Sequence, residues 1–406
     1  MMYLASMFQK YCSPTSWYWS DREDRPKYPT NITLASYKNK LVTNIRLTDY
    51  AYIPVAGPDI IQYTSAKDGW QEMLSCSAIF DDKNKLKIHE LLGNTSTSLN
   101  NGVKYHGLED VRLVVWNDIL YGIGFRPDIV PNRVIPQLIE FDDGYEIVRS
   151  WFLDTGAGME KNWQPIPDKP FCFVYDPTTP TIVKLDVENL KSTTDPNDTE
   201  SINHIEPPQF TGRLSGSSQL IRLSNGNYLS ICHTSHKFPG HNGYMHWVYN
   251  HYFVVYDTDM KPIGVSQPWR FTGDRLEFCC GMCEHEGHIC ISFSVYDGMT
   301  HIMKVPTLEF ELFLADFTND PGRFNMEPAD SYLKECYYTP GAIQGLDRII
   351  YQMTLEQNEE LIDPNDIIEV VQEYKSMIQH NKGLILYMMH RHPDNKELIK
   401  YFKTLC

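Results

Sequence analysis

Four stretches of this 406-residue chain bring together side chains that can move protons or grip hydroxyl and anionic groups. Glu109-Asp110-Val111-Arg112 sets two adjacent carboxylates next to a guanidinium. A carboxyl group whose surroundings raise its pKa can deliver a proton near neutral pH, and burial beside a second carboxylate is one way to raise it. Glu160-Lys161-Asn162-Trp163 puts opposite charges beside an aromatic ring. Arg213 to Gln219 (RLSGSSQ) is a Gly/Ser loop opening a strand pattern that leads to His233, and Phe293 to Gly298 (FSVYDG) ends a strand pattern on Asp297. Taken singly, each also reads as a charged surface turn.

The elements that must position these groups are short strands. Leu113 to Trp116 and Ile119 to Phe125 are apolar runs separated by Asn117-Asp118, the pattern of a two-residue hairpin. Comparable pairs follow one another along the chain: 32–37 with 41–47 around Lys38-Asn39-Lys40, 133–141 with 145–152 around Asp142-Asp143-Gly144, 171–175 with 182–185, 218–223 with 228–233, 251–256 with 263–266, and 276–282 with 288–294. Recurring antiparallel units spaced about 40 to 60 residues apart suit an all-β, five-bladed β-propeller, and a β-sandwich satisfies the same strand pattern. In a propeller the equivalent ends of successive blades converge on one axial mouth, so residues far apart in sequence meet. The chain then divides into an N-terminal strap (1–31), the propeller (32–320) and a small C-terminal α-helical extension (321–406). In the extension Asp363-Pro364 reads as a helix start, and Ile367, Val370, Val371, Tyr374 and Ile378 recur at helical spacing.

Composition narrows the partners. A formal net charge of −16 argues against a nucleic-acid surface, which needs Lys and Arg to neutralise phosphates. The 13% aromatic content favours strands and flat faces on which sugar rings stack. No run approaches about 20 apolar residues, so no membrane span is expected. The N-terminus lacks the basic start and long apolar core of a signal peptide. The ten cysteines are spaced unlike a disulfide scaffold, which suggests free thiols and a reducing, cytoplasmic location. Cys280-Gly-Met-Cys283 has metal-ligand spacing but lacks a second pair, and with Cys279 it sits in an apolar strand pattern, so buried thiols are expected there and no metal. The run His233, His236, His241, His246, His251 is too loosely spaced for zinc and is expected to form a long loop rimming the mouth, with Trp247 available to stack on a sugar. No resident cofactor is expected. The helical extension is the expected surface for homo-oligomerisation.

In their order, these blocks resemble the β-mannoside phosphorylases of glycoside hydrolase family 130 and the related β-1,2-mannosyltransferases. GLEDVR ahead of a strand is similar to the family's Glu-Asp-Pro-Arg motif. The Lys161 block, the Arg213 loop with Ser217 and Gln219, the strand ending at His233, Glu277-Phe278 and Tyr296-Asp297-Gly298 resemble later blocks, and residues 32 to 46 resemble the first blade, including an Arg after its second strand. The likeness spans about residues 32 to 306 and implies a five-bladed β-propeller acting on carbohydrate. Two departures stand out. Val111 replaces the Pro after Asp110, and Arg133 and Arg149 fall where the family carries paired phosphate-binding arginines without forming its motif.

By that resemblance Asp110 is the catalytic acid/base. Arg46, Glu109, Arg112, Asn162, Glu277 and Asp297 are the substrate-binding set, with Glu109 as the neighbour that tunes Asp110. Lys161, Arg213 and His233 are the basic groups for phosphate. The expected function is glycosyl transfer or phosphorolysis on a mannoside-like glycan, with inorganic phosphate or a sugar-phosphate or nucleotide-sugar as co-substrate. Inverting hydrolysis is the alternative. It needs a second carboxylate about 6.5–9.5 Å from the first, for which Glu277 and Asp297 are the candidates. A non-catalytic glycan-binding or structural propeller is the third reading.

Overall fold

The structure is a computed structural model. It describes residues 2–3, 12–15, 28–48, 50–54, 60–64, 72–81, 87–89, 97–99, 103–210, 212, 214–239, 245–272, 276–297, 299–319 and 326–327. Five main sheets follow one another along the chain as the blades of a five-bladed β-propeller. Blade I is built on Tyr28–Tyr37, Lys40–Thr48 and Glu72–Phe80, and blade II on Glu109–Trp116, Ile119–Arg126, Ile135–Phe141 and Ile147–Asp154. Blade III has Gln164–Pro165, Cys172–Asp176 and Thr181–Lys184. Blade IV centres on the long pair Tyr228–Pro239 and Met245–Tyr256, and blade V on Glu277–His285, His288–Val295 and Met299–Pro306.

The hairpins form where the turn residues demand them. Lys38-Asn39 and Asn117-Asp118 both sit at positive φ, the geometry of the two-residue turn that matches strand twist. Alternation then buries one face of each blade against the next. Trp116, Trp151, Trp163 and Phe173 pack between blades II and III, and Leu220, Tyr252, Val254 and Tyr256 form part of the packing between III and IV. Phe253, Trp269, Phe271 and Phe293 fill the space between IV and V, with Phe271 and Phe293 stacked at 4.0 Å. Val111 lies with Leu108, Leu113 and Tyr37 between blades I and II, so the residue that departs from the family motif is core packing rather than lining of the mouth.

Around the axis the first strands of the blades are close enough to exchange hydrogen bonds. Gln164 Nε2 donates to Ser218 O at 2.7 Å, and Met282 N donates to Gln219 Oε1 at 3.1 Å. Gln219 Nε2 donates to Leu34 O, which ties blade IV to blade I as well. Blades I and V approach so closely that a Cβ on Gly281 would lie 2.6 Å from the Leu34 nitrogen.

The two ends of the chain brace the ring. Cys12–Thr15 pairs antiparallel with Met299–Pro306 as the edge strand of blade V, and Met2–Tyr3 pairs with Trp269–Arg270 in blade IV. The rest of the expected strap up to residue 27 lies outside the described residues. A helix runs over Thr307–Asn319, earlier than the expected helical extension, and seats Phe310 and Leu314 in the core between blades IV and V. Met326–Glu327 adds to blade IV through Pro262–Ser266. Residues 328–406, with the expected C-terminal helices and self-association, lie outside the described residues. No helix among the described residues is long and apolar enough to cross a membrane.

The segment expected to be a His-rich loop is instead a hairpin of two twelve-residue strands, in which His233 faces His251 and His236 faces Val248. Aromatic and β-branched residues dominate Met245–Tyr256, and that composition extends the strands past the point where the histidines suggested a loop. The polar segment 191–207 returns to the sheet. Ile202–His204 adds parallel to Ile147–Asp154.

Candidate active site

The mouth is built where the first strands of successive blades begin. Tyr28–Tyr37 and Glu109–Trp116 each carry a register break at that end, between Thr30 and Thr33 and between Glu109 and Arg112. Such a bulge re-aims side chains and suits rims and sites. At these breaks Asn31 and Asp110 adopt φ of +46° and +51°. Asn162, just ahead of the first strand of blade III, has +68°, and Asp297, just after His288–Val295, has +47°. Asn and Asp tolerate this left-handed region better than other L-residues, but it still costs about 1–3 kcal/mol where nothing compensates. The compensation is a buried network of charges.

Arg46 is its hub. It donates from Nη2 to Glu109 Oε1 at 2.9 Å, from Nη1 to Asp110 Oδ1 at 3.1 Å and from Nε to Ser75 Oγ at 2.9 Å. Lys161 Nζ reaches Glu109 Oε2 at 2.8 Å, and Asn31 Nδ2 donates to Asp110 Oδ1 at 2.6 Å. Asp297 Oδ1 lies 3.0 Å from Thr30 Oγ1. The two aspartates therefore face opposite electrostatic conditions. Burial works to raise the Asp110 carboxyl, but Arg46, Lys161 and Arg112 outweigh it and hold the group at about 2. Burial pushes Asp297 up to about 6, with Asp110 and Glu109 adding repulsion that Arg46 only partly offsets. Two carboxyl groups driven apart in this way can serve as one ionised group and one that holds its proton up to about pH 6.

Arg112 lies beneath the mouth rather than in it. It is fully buried and bonds Ser217 O at 3.0 Å, Asp110 O at 2.8 Å and Asn162 Oδ1 at 2.8 Å, joining blades II, III and IV. Its guanidinium also lies 5.3 Å from the Phe125 ring and 5.8 Å from the Phe278 ring, a cation–π sandwich. The role the structure gives it is to hold the floor, which differs from the sugar contact expected of it. Glu277 is likewise engaged. It accepts from Phe271 N at 2.6 Å, Thr272 N at 2.8 Å and Thr272 Oγ1 at 2.5 Å, and so ties down the 271–272 turn. Of the two expected partner carboxylates, Asp297 is the one that faces Asp110.

His233 is buried and shares a 2.8 Å hydrogen bond between its Nδ1 and Ser217 Oγ. Burial, with Arg112 nearby, lowers its pKa to about 3, so the ring is neutral at physiological pH and brings no charge for a phosphate. It packs with Tyr249 at 5.5 Å and Phe278 at 5.0 Å as an aromatic wall. Burial, then Asp297 and Asp110, raise the Tyr249 phenol, which keeps it neutral. Arg213 lies outside the described residues. Arg133 and Arg149 pair with Asp154 at 2.6 Å and Glu140 at 2.7 Å within blade II. Cys279, Cys280 and Cys283 are buried free thiols, and burial pushes Cys279 up to about 12. Among the described residues no group of His, Cys, Asp and Glu could hold a metal ion.

Thr30, Asn31 and Tyr249 belong to the site but were not expected from the sequence. Asn at the start of a strand is a weak sign of a left-handed position, and nothing local marks the other two.

No protein-family model and no curated protein matches this chain. Solved structures do align with it. A mannose phosphorylase from Leishmania mexicana, in complex with phosphate, aligns at 12% identity over 75% of this chain and 92% of its own, with a TM-score of 0.41. A β-1,2-mannobiose phosphorylase from Listeria innocua aligns at 14% identity over 71% and 92%, with a TM-score of 0.40. A GDP-mannose-dependent mannosyltransferase from Leishmania mexicana aligns at 14% identity over 69% and 85%, with a TM-score of 0.41.

Proposed function

We propose that the protein is a carbohydrate-active enzyme that transfers a glycosyl unit from a mannoside-like substrate, with Asp110 and Asp297 as its acid/base pair. The observation that carries this reading is the convergence of the two aspartates at one aromatic-walled mouth, with Arg46 fixing the ionised one. The sugar class rests on the order of the motif blocks in the sequence. Asp297 gives its proton to the bridging oxygen as the bond from that oxygen to the anomeric carbon breaks. Asp110, an anion throughout the physiological range, faces the positive charge that develops on the sugar ring. It takes the acceptor hydroxyl's proton as the new carbon–oxygen bond forms. Relative to the sequence expectation, the acid moves to Asp297 and Asp110 becomes the charge-stabilising base.

Among the described residues, the charge balance of the mouth favours a hydroxyl acceptor over phosphate. Arg46 and Lys161 are paired with Glu109 and Asp110, and His233 is neutral. The test is turnover of a panel of mannosides and mannose donors, with and without inorganic phosphate. Asp110→Asn is expected to lose about 100-fold or more in rate. Because Asp297 must hold its proton, wild-type turnover is expected to fall as pH rises through about 6, and Asp297→Asn is expected to lose that limb along with most of its rate. Full turnover by Asp110→Asn, or products that are sugar phosphates formed only when phosphate is added, would overturn the reading.

A further inference from the structure

The hydrogen-bond count around Thr30 does not close if both aspartates are ionised. Thr30 Oγ1 lies 3.1 Å from Asn31 Oδ1 and 3.0 Å from Asp297 Oδ1, yet a threonine hydroxyl carries one hydrogen. The orientation of the Asn31 amide is fixed from its other side. Its Nδ2 is 2.6 Å from Asp110 Oδ1, an oxygen that also accepts from Arg46 and has no hydrogen to give. Asn31 Oδ1 is therefore an acceptor pointing at Thr30. If Thr30 gives its hydrogen to Asn31, the contact with Asp297 has a hydrogen only when Asp297 supplies it.

We propose that Asp297, Thr30, Asn31 and Asp110 form a one-directional hydrogen-bond chain in which Thr30 is a positioning residue that couples the proton on Asp297 to the ionised state of Asp110. In the resting arrangement Asp297 donates to Thr30, Thr30 donates to Asn31 Oδ1, and Asn31 donates to Asp110. Every contact then has one hydrogen and all three side chains at the start of the chain are satisfied, which matters because Thr30 and Asn31 are buried. When Asp297 loses its proton, the Thr30 hydroxyl rotates to donate to the new carboxylate, and Asn31 Oδ1 loses its donor. The two ends of the chain thus sense each other without direct contact. This deepens the carboxylate-pair reading and rests on it.

Among the described residues, the groups that face Asp297 come from four strands. Thr30 is on Tyr28–Tyr37, Arg46 on Lys40–Thr48, Glu109 and Asp110 on Glu109–Trp116, and Tyr249 on Met245–Tyr256. Arg46 favours the ionised form of Asp297, while Asp110, Glu109 and burial favour the protonated form. Thr30 and Asn31 add a competition for one hydrogen that none of those charges contains.

The experiment is a titration of the Asp297 side-chain carboxyl by NMR in the full chain with isotope-labelled aspartate, assigned by its loss in Asp297→Asn. No substrate is needed, so the outcome is independent of whether the proposed activity is correct. Thr30→Val removes the hydroxyl that lies 3.0 Å from the Asp297 carboxyl and is expected to raise the midpoint by about one to two pH units. Thr30→Ser keeps the hydroxyl and is expected to restore it. Asn31→Gly accepts the positive φ and removes the competing acceptor, which frees the Thr30 hydrogen for Asp297, so the midpoint is expected to fall. Opposite shifts in Thr30→Val and Asn31→Gly, with Thr30→Ser at the wild-type value, establish the chain. Shifts in the same direction, or no shift in either, would overturn it.

Discussion

The hairpin Glu109–Trp116/Ile119–Arg126 has Asx residues in the left-handed region at both of its ends, for different reasons. At the far end Asn117 and Asp118 take φ of +51° and +61° in an exposed two-residue turn that sets the register Trp116 opposite Ile119. The geometry there is local, since the turn needs it and Asn and Asp tolerate it. At the mouth Asp110 takes the same φ of +51° while buried, with no turn to close. Its carboxylate is held from another blade, by Arg46 and Asn31 of blade I, with Lys161 ahead of blade III acting through Glu109, while Arg112 two residues on holds its carbonyl. A left-handed Asp therefore marks a site only when it is buried and its compensation comes from elsewhere in the chain.

Removing the guanidinium that ties the Asp110 carbonyl to blades III and IV is expected to have the largest effect. Arg112→Met keeps much of the buried volume but leaves Asp110 O, Asn162 Oδ1 and Ser217 O without their donor. The expected loss is about 3–5 kcal/mol in chemical denaturation, the cost of breaking a buried charged network from one side. A loss below about 1 kcal/mol would mean that the mouth end is held as locally as the turn.

A smaller effect separates the charge of Asp110 from its backbone geometry. The fold lowers this carboxyl from its ordinary 3.8 to about 2, so folding favours the ionised form. Its contribution is complete above about pH 4 and is lost as pH falls toward 2. Asp110→Asn is expected to cost about 2 kcal/mol at neutral pH and nearly nothing at pH 2. Denaturation midpoints of the two proteins should therefore converge on acidification. Parallel curves would show that Arg46 gains nothing from the ionised carboxylate.

The same contrast explains how much of the molecule is legible in its sequence. Asn117-Asp118 and Lys38-Asn39 announce their hairpins because turn chemistry is local, and the count of such pairs is enough for five blades. Asp110, Asp297, Arg46 and Lys161 are visible as charged residues at strand ends, and the structure brings them together. The division of labour among them is not visible, because it depends on which groups are buried against which. Arg112 looks like Arg46 in sequence, yet one lies under the floor and the other bridges the two carboxylates of the mouth. Glu277 looks like Asp297, yet it is consumed by two backbone amides. Asn31 and Thr30 gain their place from a register break that no local sequence pattern announces. The helix Thr307–Asn319 is hidden in the sequence for a related reason: it begins directly after Pro306, the last residue of the final blade V strand, with no loop to announce it.

The smallest expected effect tests the far end alone. Asp118→Gly creates Asn-Gly, the pair that a two-residue turn with both central residues at positive φ favours most. Glycine adopts φ near +61° without the steric cost an L-residue bears, and the site is exposed, so no packing is lost. The unfolded chain gains freedom from the glycine, which offsets part of the benefit. The net expectation is a gain of a few tenths to about 1 kcal/mol in denaturation, with turnover and the Asp297 titration unchanged. The equivalent change at the mouth, Asp110→Gly, relieves the same φ but strips Arg46 and Asn31 of their acceptor, so it should destabilise. Two glycine substitutions at matching backbone angles on one hairpin are thus expected to act with opposite sign. If both stabilise, the strain at Asp110 outweighs its ion pairs, and the mouth is held by its bulge alone.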